Sequence, residues 1–177
     1  MTTLAPLMSS ESPEWYTPAH ILERVITVLG AIDLGPCSNV GTPNVPAARH
    51  YAEGDDGLPR PWSGRVVMNP PYGRGIEVWM AKLHASYADA AGGVTAAIAL
   101  VPARVDTQWY RILRDYPVCQ VAGRLKFSGH ANSAPFPSAV SYLGPDLIAF
   151  LDAFGDVGDI YGRIEHRVPM WTPRGGA

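Results

Sequence analysis

Four stretches of the chain repeat apolar residues at the spacing of one face of an amphipathic helix. The first follows Thr17 and Pro18, which suit a helix cap and a first helical position, and it ends at Gly30. Either Asp106 or Thr107 suits the cap of the third helix. The apolar positions are Ile21, Leu22, Val25, Val28 and Leu29; Ile76, Trp79, Met80, Leu83 and Tyr87; Trp109, Tyr110, Ile112 and Leu113; and Leu147, Ile148, Leu151 and Phe154. We therefore predict four helices that pack against a core.

Short runs of apolar, β-prone residues alternate with these helices. The predicted strands are 31–34, 50–52, 66–68, 94–101, 118–122, 124–127 and 138–143, with a short one after residue 155. The run 94–101 is almost continuously apolar, which is typical of a parallel strand buried on both faces. The alternation of strands and helices predicts an α/β fold.

Composition restricts the class of protein. The chain has 177 residues, of which 47% are hydrophobic and 17% charged, as expected for one soluble globular domain. We expect residues 1–13 to form a flexible lead and residues 14–177 to form the domain. No apolar run approaches the ~20 residues of a membrane span, and the start lacks the features of a signal peptide. Cys37 and Cys119 do not suit a disulfide framework or a metal site, so we expect a cytoplasmic protein without a metal.

Charge is unevenly distributed along the chain. The net charge is −2, yet residues 104–130 carry five basic and two acidic residues, a net charge of +3. One basic face on an acidic body is a candidate surface for DNA. From charge alone, an ordinary mixed-charge surface remains an equal alternative.

Residues 65–74 carry the clearest candidate chemistry. The apolar run 66–68 stops at Pro70 and Pro71, which cannot donate to a β-ladder. Asn69 is therefore expected at the carboxyl end of a buried strand, where open α/β sheets bind ligands. Its amide and the flat ring of Tyr72 suit an exocyclic amino group on a planar base. An ordinary Asn-Pro turn is the alternative interpretation.

Asn69-Pro70-Pro71-Tyr72 resembles the catalytic motif of amino-group methyltransferases that use S-adenosylmethionine. The chain as a whole resembles the DNA N6-adenine methyltransferase family that is common in phages and prophages. The matching pieces are 14–18, 32–39, 55–58 with Pro61 and Trp62, 100–104 with Asp106 and Thr107, and 123–127. The resemblance implies a trimmed Rossmann-like class I methyltransferase sheet, mostly parallel with an antiparallel strand near the C-terminus, flanked by helices.

The resemblance also implies an activity and a set of site residues. The implied enzyme acts in the bacterial host cytoplasm and transfers a methyl group from S-adenosylmethionine to N6 of adenine in DNA, after the base has been flipped. The implied catalytic residues are Asn69, Pro70, Pro71 and Tyr72. The implied cofactor-binding residues are Trp15, Tyr16, Thr17, Pro18, Asp33, Gly35, Pro36, Cys37, Ser38, Asp55, Asp56 and Leu58. The implied DNA-binding residues are Arg104, Asp106, Thr107, Arg124, Lys126 and Phe127.

One position departs from the pattern of that family. Gly35 stands where the family usually has an acid that faces the cationic methionine end of the cofactor. Asp33 lies two residues earlier, on the same side of an extended strand. We therefore expect weak cofactor binding, and a gain in affinity in the variant Gly35→Asp.

Several alternatives stay open at this point. Asp55 and Asp56 suit a ribose diol or an adenine amino group, but an Asp-Gly turn between strands is also common. The long polar loop 128–137 is a candidate for gripping DNA around an extruded base. The short path from Asp33 to Asn69 leaves no room for a separate recognition domain, so we expect a short or relaxed target site. N4-cytosine transfer, glutamine methylation of proteins, and a DNA-binding module with impaired cofactor binding are the other candidate functions.

Overall fold

A computed structural model describes residues 15–38, 43–89, 91 and 93–162. The expected lead 1–13 lies outside these residues. Seven strands of the described part form one sheet, in the order β2-β1-β3-β4-β6-β5-β7. Their bounds are β1 Ile32–Ser38, β2 Ala47–Ala52, β3 Gly64–Met68, β4 Val94–Pro102, β5 Val118–Val121, β6 Ser138–Leu143 and β7 Gly158–Tyr161.

The first four strands are parallel to one another, while β6, β5 and β7 pair antiparallel. The chain moves from β1 outward to β2, and from β3 outward to β4 in the opposite direction. The carboxyl ends of β1 and β3 therefore flank a topological switch point, where open α/β sheets bind ligands. The predicted methyltransferase-like α/β fold, with its antiparallel part near the C-terminus, is confirmed.

Helices cover both faces of the sheet. They are α1 Ala19–Leu29, α2 Ile76–Ala88 and α3 Leu147–Phe154, with 3₁₀ helices at Glu53–Asp55 and Trp109–Asp115. Alternate residues of β3 point to opposite faces, so Val67 packs with α1 and α3 while Val66 and Met68 pack with α2. None of the helices in the described ranges is long and apolar enough to span a bilayer.

Two predicted helix starts are wrong in the structure. The N-cap of α1 is Pro18, whose side chain makes no cap hydrogen bond. Thr17 does not cap the helix, because its buried hydroxyl accepts a hydrogen bond from Asn69 instead. The stretch after Gln108 is a 3₁₀ helix that neither Asp106 nor Thr107 caps. The hydroxyl of Thr107 donates to the carbonyl of Arg104, 2.8 Å away, and closes a turn of its own.

Three other local predictions also differ from the structure. The strand predicted over 124–127 does not form; the carbonyl of Leu125 accepts from the backbone of Ala134 in the following loop, 2.8 Å away, rather than from a neighbouring strand. The first strand continues past Leu34 through Ser38, so the motif expected in a loop lies on β1. Helix α3 buries Phe150, Ala153 and Phe154, and leaves most of its predicted apolar stripe exposed.

Candidate active site

A cavity of about 270 Å³ opens at the carboxyl ends of β1, β2 and β3. This volume lies near the lower end of the range for sites that hold one drug-sized molecule. Ten of the residues implied by the resemblance line the cavity, including all of Gly35 to Ser38. The cavity is lined by Trp15, Thr17, Gly35, Pro36, Cys37, Ser38, Asn44, Val45, Tyr51, Ala52, Asp56, Gly57, Val67, Asn69, Pro70, Pro71 and Trp79.

Asn69 follows the last residue of β3, and its side-chain amide is anchored on one side only. The amide Nδ2 donates to the carbonyl of Trp15 and to the hydroxyl of Thr17, 3.1 Å away. The amide oxygen Oδ1 is buried and accepts no hydrogen bond within the described part of the chain. Buried polar atoms are nearly always paired, so this oxygen is an acceptor available to a ligand.

Cys37 forms part of the wall between β1 and β3. The backbone N–H of Asn69 donates to its sulfur, yet burial dominates and raises the pKa of the Cys37 thiol to about 12. A thiol with such a pKa stays protonated at neutral pH and is a poor nucleophile. Cys37 therefore acts as an apolar contact surface in this cavity.

Gly35 packs closely against a serine–histidine pair. The hydroxyl of Ser38 donates to the carbonyl of Gly35 at 3.1 Å and lies 2.8 Å from Nδ1 of His50 on β2. A Cβ atom at position 35 would lie 2.9 Å from the Ser38 hydroxyl and 3.2 Å from that ring nitrogen. The absence of a side chain at Gly35 is thus a packing requirement of this segment. His50 was not singled out from the sequence, because only the pairing of β1 with β2 brings it to Ser38.

The acidic turn, residues 54–58 after β2, places one of its two aspartates at the cavity. The carboxylate of Asp55 accepts from the backbone of Ala52 at 2.9 Å, which occupies it in the turn itself. Asp56 adopts a left-handed backbone conformation, with φ 47°, and lines the cavity. Gly57 lies so close to β1 that a Cβ atom there would be 2.2 Å from the carbonyl oxygen of Pro36. Leu58 is half-buried and does not line the cavity.

Asp33 does not reach the cavity. Its carboxylate pairs with Arg65 of β3, with the Nε–Oδ2 distance at 2.9 Å, and also accepts from the Arg65 backbone at 2.7 Å. These hydrogen bonds from Arg65 lower the pKa of Asp33 to about 2. Asp33 lies near the amino end of β1, whereas the cavity lies at the carboxyl end. Asp33 therefore links β1 to β3 through Arg65.

Tyr72 stands in an aromatic cluster beside the cavity. Its hydroxyl donates to the carbonyl of Leu100 at 3.3 Å, and its ring contacts Trp15, Phe127 and Phe136. Phe127 is 1% exposed, so it fills this cluster and does not face solvent. His130 stacks on Trp15 with the ring centroids 4.3 Å apart. His130 and Phe136 were not singled out from the sequence, although the polar, proline-bounded loop that carries them was.

The segment before α1 is tied to the loop 128–137. The backbone of Ser128 donates to the carbonyl of Tyr16 at 3.0 Å, and the two residues form an isolated antiparallel bridge. Tyr16 and Pro18 lie outside the cavity, next to Trp15 and Thr17, which line it. Residues 15–17 thus contact both Asn69 and the loop.

The residues expected to bind DNA lie outside the cavity. Arg104, Asp106, Arg124 and Lys126 are exposed, and Thr107 is half-buried. Arg104 follows the carboxyl end of β4, on the same edge of the sheet as Asn69. Across the described ranges, no three side chains of the metal-binding types come together.

Comparison with known proteins identified a family. A family model described as DNA N-6-adenine-methyltransferase (Dam) matches residues 5–140. No curated protein matches the chain. The matched range contains β1 to β5 and every residue that lines the cavity.

Proposed function

The chain belongs to the DNA N-6-adenine-methyltransferase (Dam) family, and from this premise we propose that it methylates the N6 amino group of adenine in DNA. The buried, unpaired oxygen of Asn69 is the observation that carries this proposal. It lies at the end of β3, where the ordered pair Pro70 and Pro71 turns the backbone outward. An acceptor in this position suits a ligand N–H donor, and the adenine N6 group has two.

Adenine N6 is a weak nucleophile, because its lone pair is delocalised into the ring. The Asn69 oxygen and the carbonyl of the buried Pro70 accept its two hydrogens. These hydrogen bonds favour a pyramidal nitrogen whose lone pair points toward the methyl donor. The nitrogen would form the new N–C bond as the methyl–sulfur bond of the donor breaks and its electron pair stays on sulfur, and the nitrogen would then lose one proton to water. Positioning of this kind can supply several kcal/mol of the barrier reduction.

The orientation of Asn69 is set by its neighbours. Its Nδ2 is held by the Trp15 carbonyl and the Thr17 hydroxyl, so the amide cannot rotate without losing two hydrogen bonds. Tyr72 follows Asn69 in the motif, and its ring is supported by Phe127 and Phe136. A fixed ring in this position is suited to stacking on the base.

S-adenosylmethionine is the cofactor that this family implies, and the cavity offers it polar groups along a closely packed wall. Gly35 and Gly57 allow this close packing, because a Cβ atom would lie 2.9 Å from the Ser38 hydroxyl at position 35 and 2.2 Å from the Pro36 carbonyl oxygen at position 57. The carboxylate of Asp56 and the hydroxyl of Ser38 offer hydrogen-bond acceptors along the wall. When bound, the cofactor supplies an electrophilic methyl group on its sulfonium sulfur. Trp15, Pro36, Cys37, Ser38 and Asp56 are the implied residues placed to hold it.

The target base has to leave the helix to reach Asn69. Unpairing and unstacking a base cost on the order of a few kcal/mol. We propose that stacking on Tyr72 and phosphate contacts from Arg104, Arg124 and Lys126 offset this cost. These three cations are exposed and belong to the basic stretch of the chain.

The test is expression in a host that lacks DNA methylation. Digested genomic DNA is analysed by mass spectrometry for N6-methyladenine and N4-methylcytosine. We expect N6-methyladenine with the original chain and none with Asn69→Ala, which loses two hydrogen bonds but should still unfold cooperatively, at a somewhat lower thermal midpoint. N4-methylcytosine in place of N6-methyladenine would reassign the base, and neither modification would refute DNA methylation as the function.

A further inference from the structure

The cavity contains an aromatic side chain to which the family resemblance gave no role. Trp79 lies in the first turn of α2 and lines the cavity. Three other lining residues, Tyr51, Asp56 and Gly57, belong to the end of β2 and the acidic turn. In the sequence, Trp79 reads as one position of an apolar helix face. In the structure it is partly exposed to the cavity instead of fully buried in the core.

Trp62 holds Trp79 in place and links it to the acidic turn. The two indole rings stack with centroids 6.0 Å apart and planes 26° apart. Trp62 is buried, and its Nε1 donates to the carbonyl of Gly57 at 2.8 Å. Lys82 lies on the same helix as Trp79, and its ammonium group is 5.9 Å from the centre of the Trp62 ring. Trp79 and the backbone beside Asp56 are therefore both fixed by one buried residue.

Asp56 and Trp79 together suit a nucleoside. Among the described residues, the carboxylate of Asp56 makes no hydrogen bond, so it can accept from the hydroxyls of a ribose or from an amino group. The face of an indole is a favourable stacking surface for a purine. The acidic turn follows β2, two strands from β3, which places it roughly 10 Å from Asn69 along the sheet edge. That separation suits an extended ligand whose reactive end lies near Asn69.

We propose that Trp79 is the stacking surface for the adenine ring of the cofactor, and that Trp62 is a positioning residue for Trp79 and Asp56. This inference rests on the proposed function, since it assumes an adenosyl cofactor in the cavity. It assigns the adenosine half of that molecule to the acidic turn and α2. The methyl donor half then lies between Ser38 and Asn69.

The test measures binding of S-adenosylhomocysteine by calorimetry and by quenching of tryptophan fluorescence. The variant Trp79→Phe keeps an aromatic ring at this position. The variant Trp79→Leu has an apolar side chain of a size similar to Phe, but without a ring. We expect Trp79→Phe to bind within about threefold of the original chain, and Trp79→Leu to bind roughly tenfold more weakly. The quenching should fall in both variants, and the part that remains should come from Trp15, which also lines the cavity. Trp109→Ala, on the 3₁₀ helix outside the cavity, is the matched control and should change neither affinity nor quenching.

The role of Trp62 has its own measurement. Trp62→Phe retains the packing but removes the N–H that holds Gly57. We expect a rise in KM for the cofactor with kcat unchanged, because the reacting atoms lie at the other end of the cavity. A change in kcat alone would refute this role.

The outcomes separate the inference from the function on which it rests. Equal affinities of Trp79→Leu and Trp79→Phe, with the original chain binding, would overturn the stacking role and leave the proposed function standing. No binding of S-adenosylhomocysteine to the original chain would overturn the cofactor assignment itself, and with it this inference.

Discussion

Gly35 is a residue whose interpretation changes once its neighbours in the fold are known. The sequence suggested a lost carboxylate and therefore weak cofactor binding. In the structure, the hydroxyl of Ser38 and the ring of His50 occupy the space that a side chain at position 35 would need. The Ser38 oxygen retains capacity to accept from an ammonium group, so it offers a substitute for the missing acid.

We accordingly expect Gly35→Asp to weaken cofactor binding instead of improving it. The new Cβ would force Ser38 and His50 apart, and a buried carboxylate would have to find new partners. The expected loss is about tenfold or more in affinity for S-adenosylhomocysteine, measured by calorimetric titration. A second variant, Ser38→Ala, should also lose affinity while keeping Gly35. Tighter binding by Gly35→Asp would restore the original interpretation of the missing acid.

Strand pairing explains why Asp33 belongs to the sheet and not to the cavity. Asp33 on β1 and Arg65 on β3 join two parallel strands through side-chain and backbone hydrogen bonds. Their side chains are each 37% exposed, so solvent screens the pair.

Asp33→Asn should lower the free energy of unfolding by about 1 kcal/mol at pH 7 and leave cofactor affinity unchanged. Because the folded pKa of Asp33 is lowered to about 2, its ionisation stabilises the fold above its unfolded pKa of about 3.9. The stabilisation is lost as the pH falls toward the folded pKa. Urea titrations from pH 7 to pH 3 should therefore show the difference between original and variant shrinking. A large loss of cofactor affinity in Asp33→Asn would instead return Asp33 to the site.

Sequence reasoning was most accurate for elements whose bounds depend on their own residues. Strand β6 and helix α3 have the expected ranges, and β4 extends only one residue further, because continuous apolar runs and proline or glycine ends are local signals. The failures depend on distant partners. Thr17 does not cap α1, because its hydroxyl accepts a hydrogen bond from Asn69. Residues 124–127 do not form a strand, because the carbonyl of Leu125 accepts from Ala134 in the loop 128–137. The motif residues were predictable, whereas the roles of His50, Trp62 and Trp79 required the fold.

At the scale of the whole molecule, three exposed cations of the described residues lie on the edge of the sheet that also carries the candidate active site. Arg104 follows β4, and Arg124 and Lys126 lead into the loop 128–137, while the rest of the chain carries a net charge of −5. The net charge of the protein is only −2, so association with DNA depends on this local field and not on the overall charge.

Arg104→Ala and Lys126→Ala should each weaken DNA binding and reduce the slope of log affinity against log salt by about 1. Fluorescence anisotropy with a short duplex at several salt concentrations measures both quantities. Arg24→Ala is the control, because Arg24 is a half-buried cation that pairs with Asp156 and lies away from the cavity. Unchanged slopes in both test variants would remove the electrostatic argument for this surface.

The bridge between Tyr16 and Ser128 has a consequence for the order in which the protein loses its function. Asn69 takes its orientation from Trp15 and Thr17, 54 and 52 residues earlier in the chain, and that segment is held in turn by a loop 111 residues later than Thr17. Residues 15–17 are also held by the ring contacts of Trp15 and by the burial of Thr17, so their local opening has to break packing as well as hydrogen bonds. Release of these residues would free the Asn69 amide while the sheet remains folded. Under the proposed function, activity therefore depends on the opening equilibrium of one short segment as well as on the stability of the sheet.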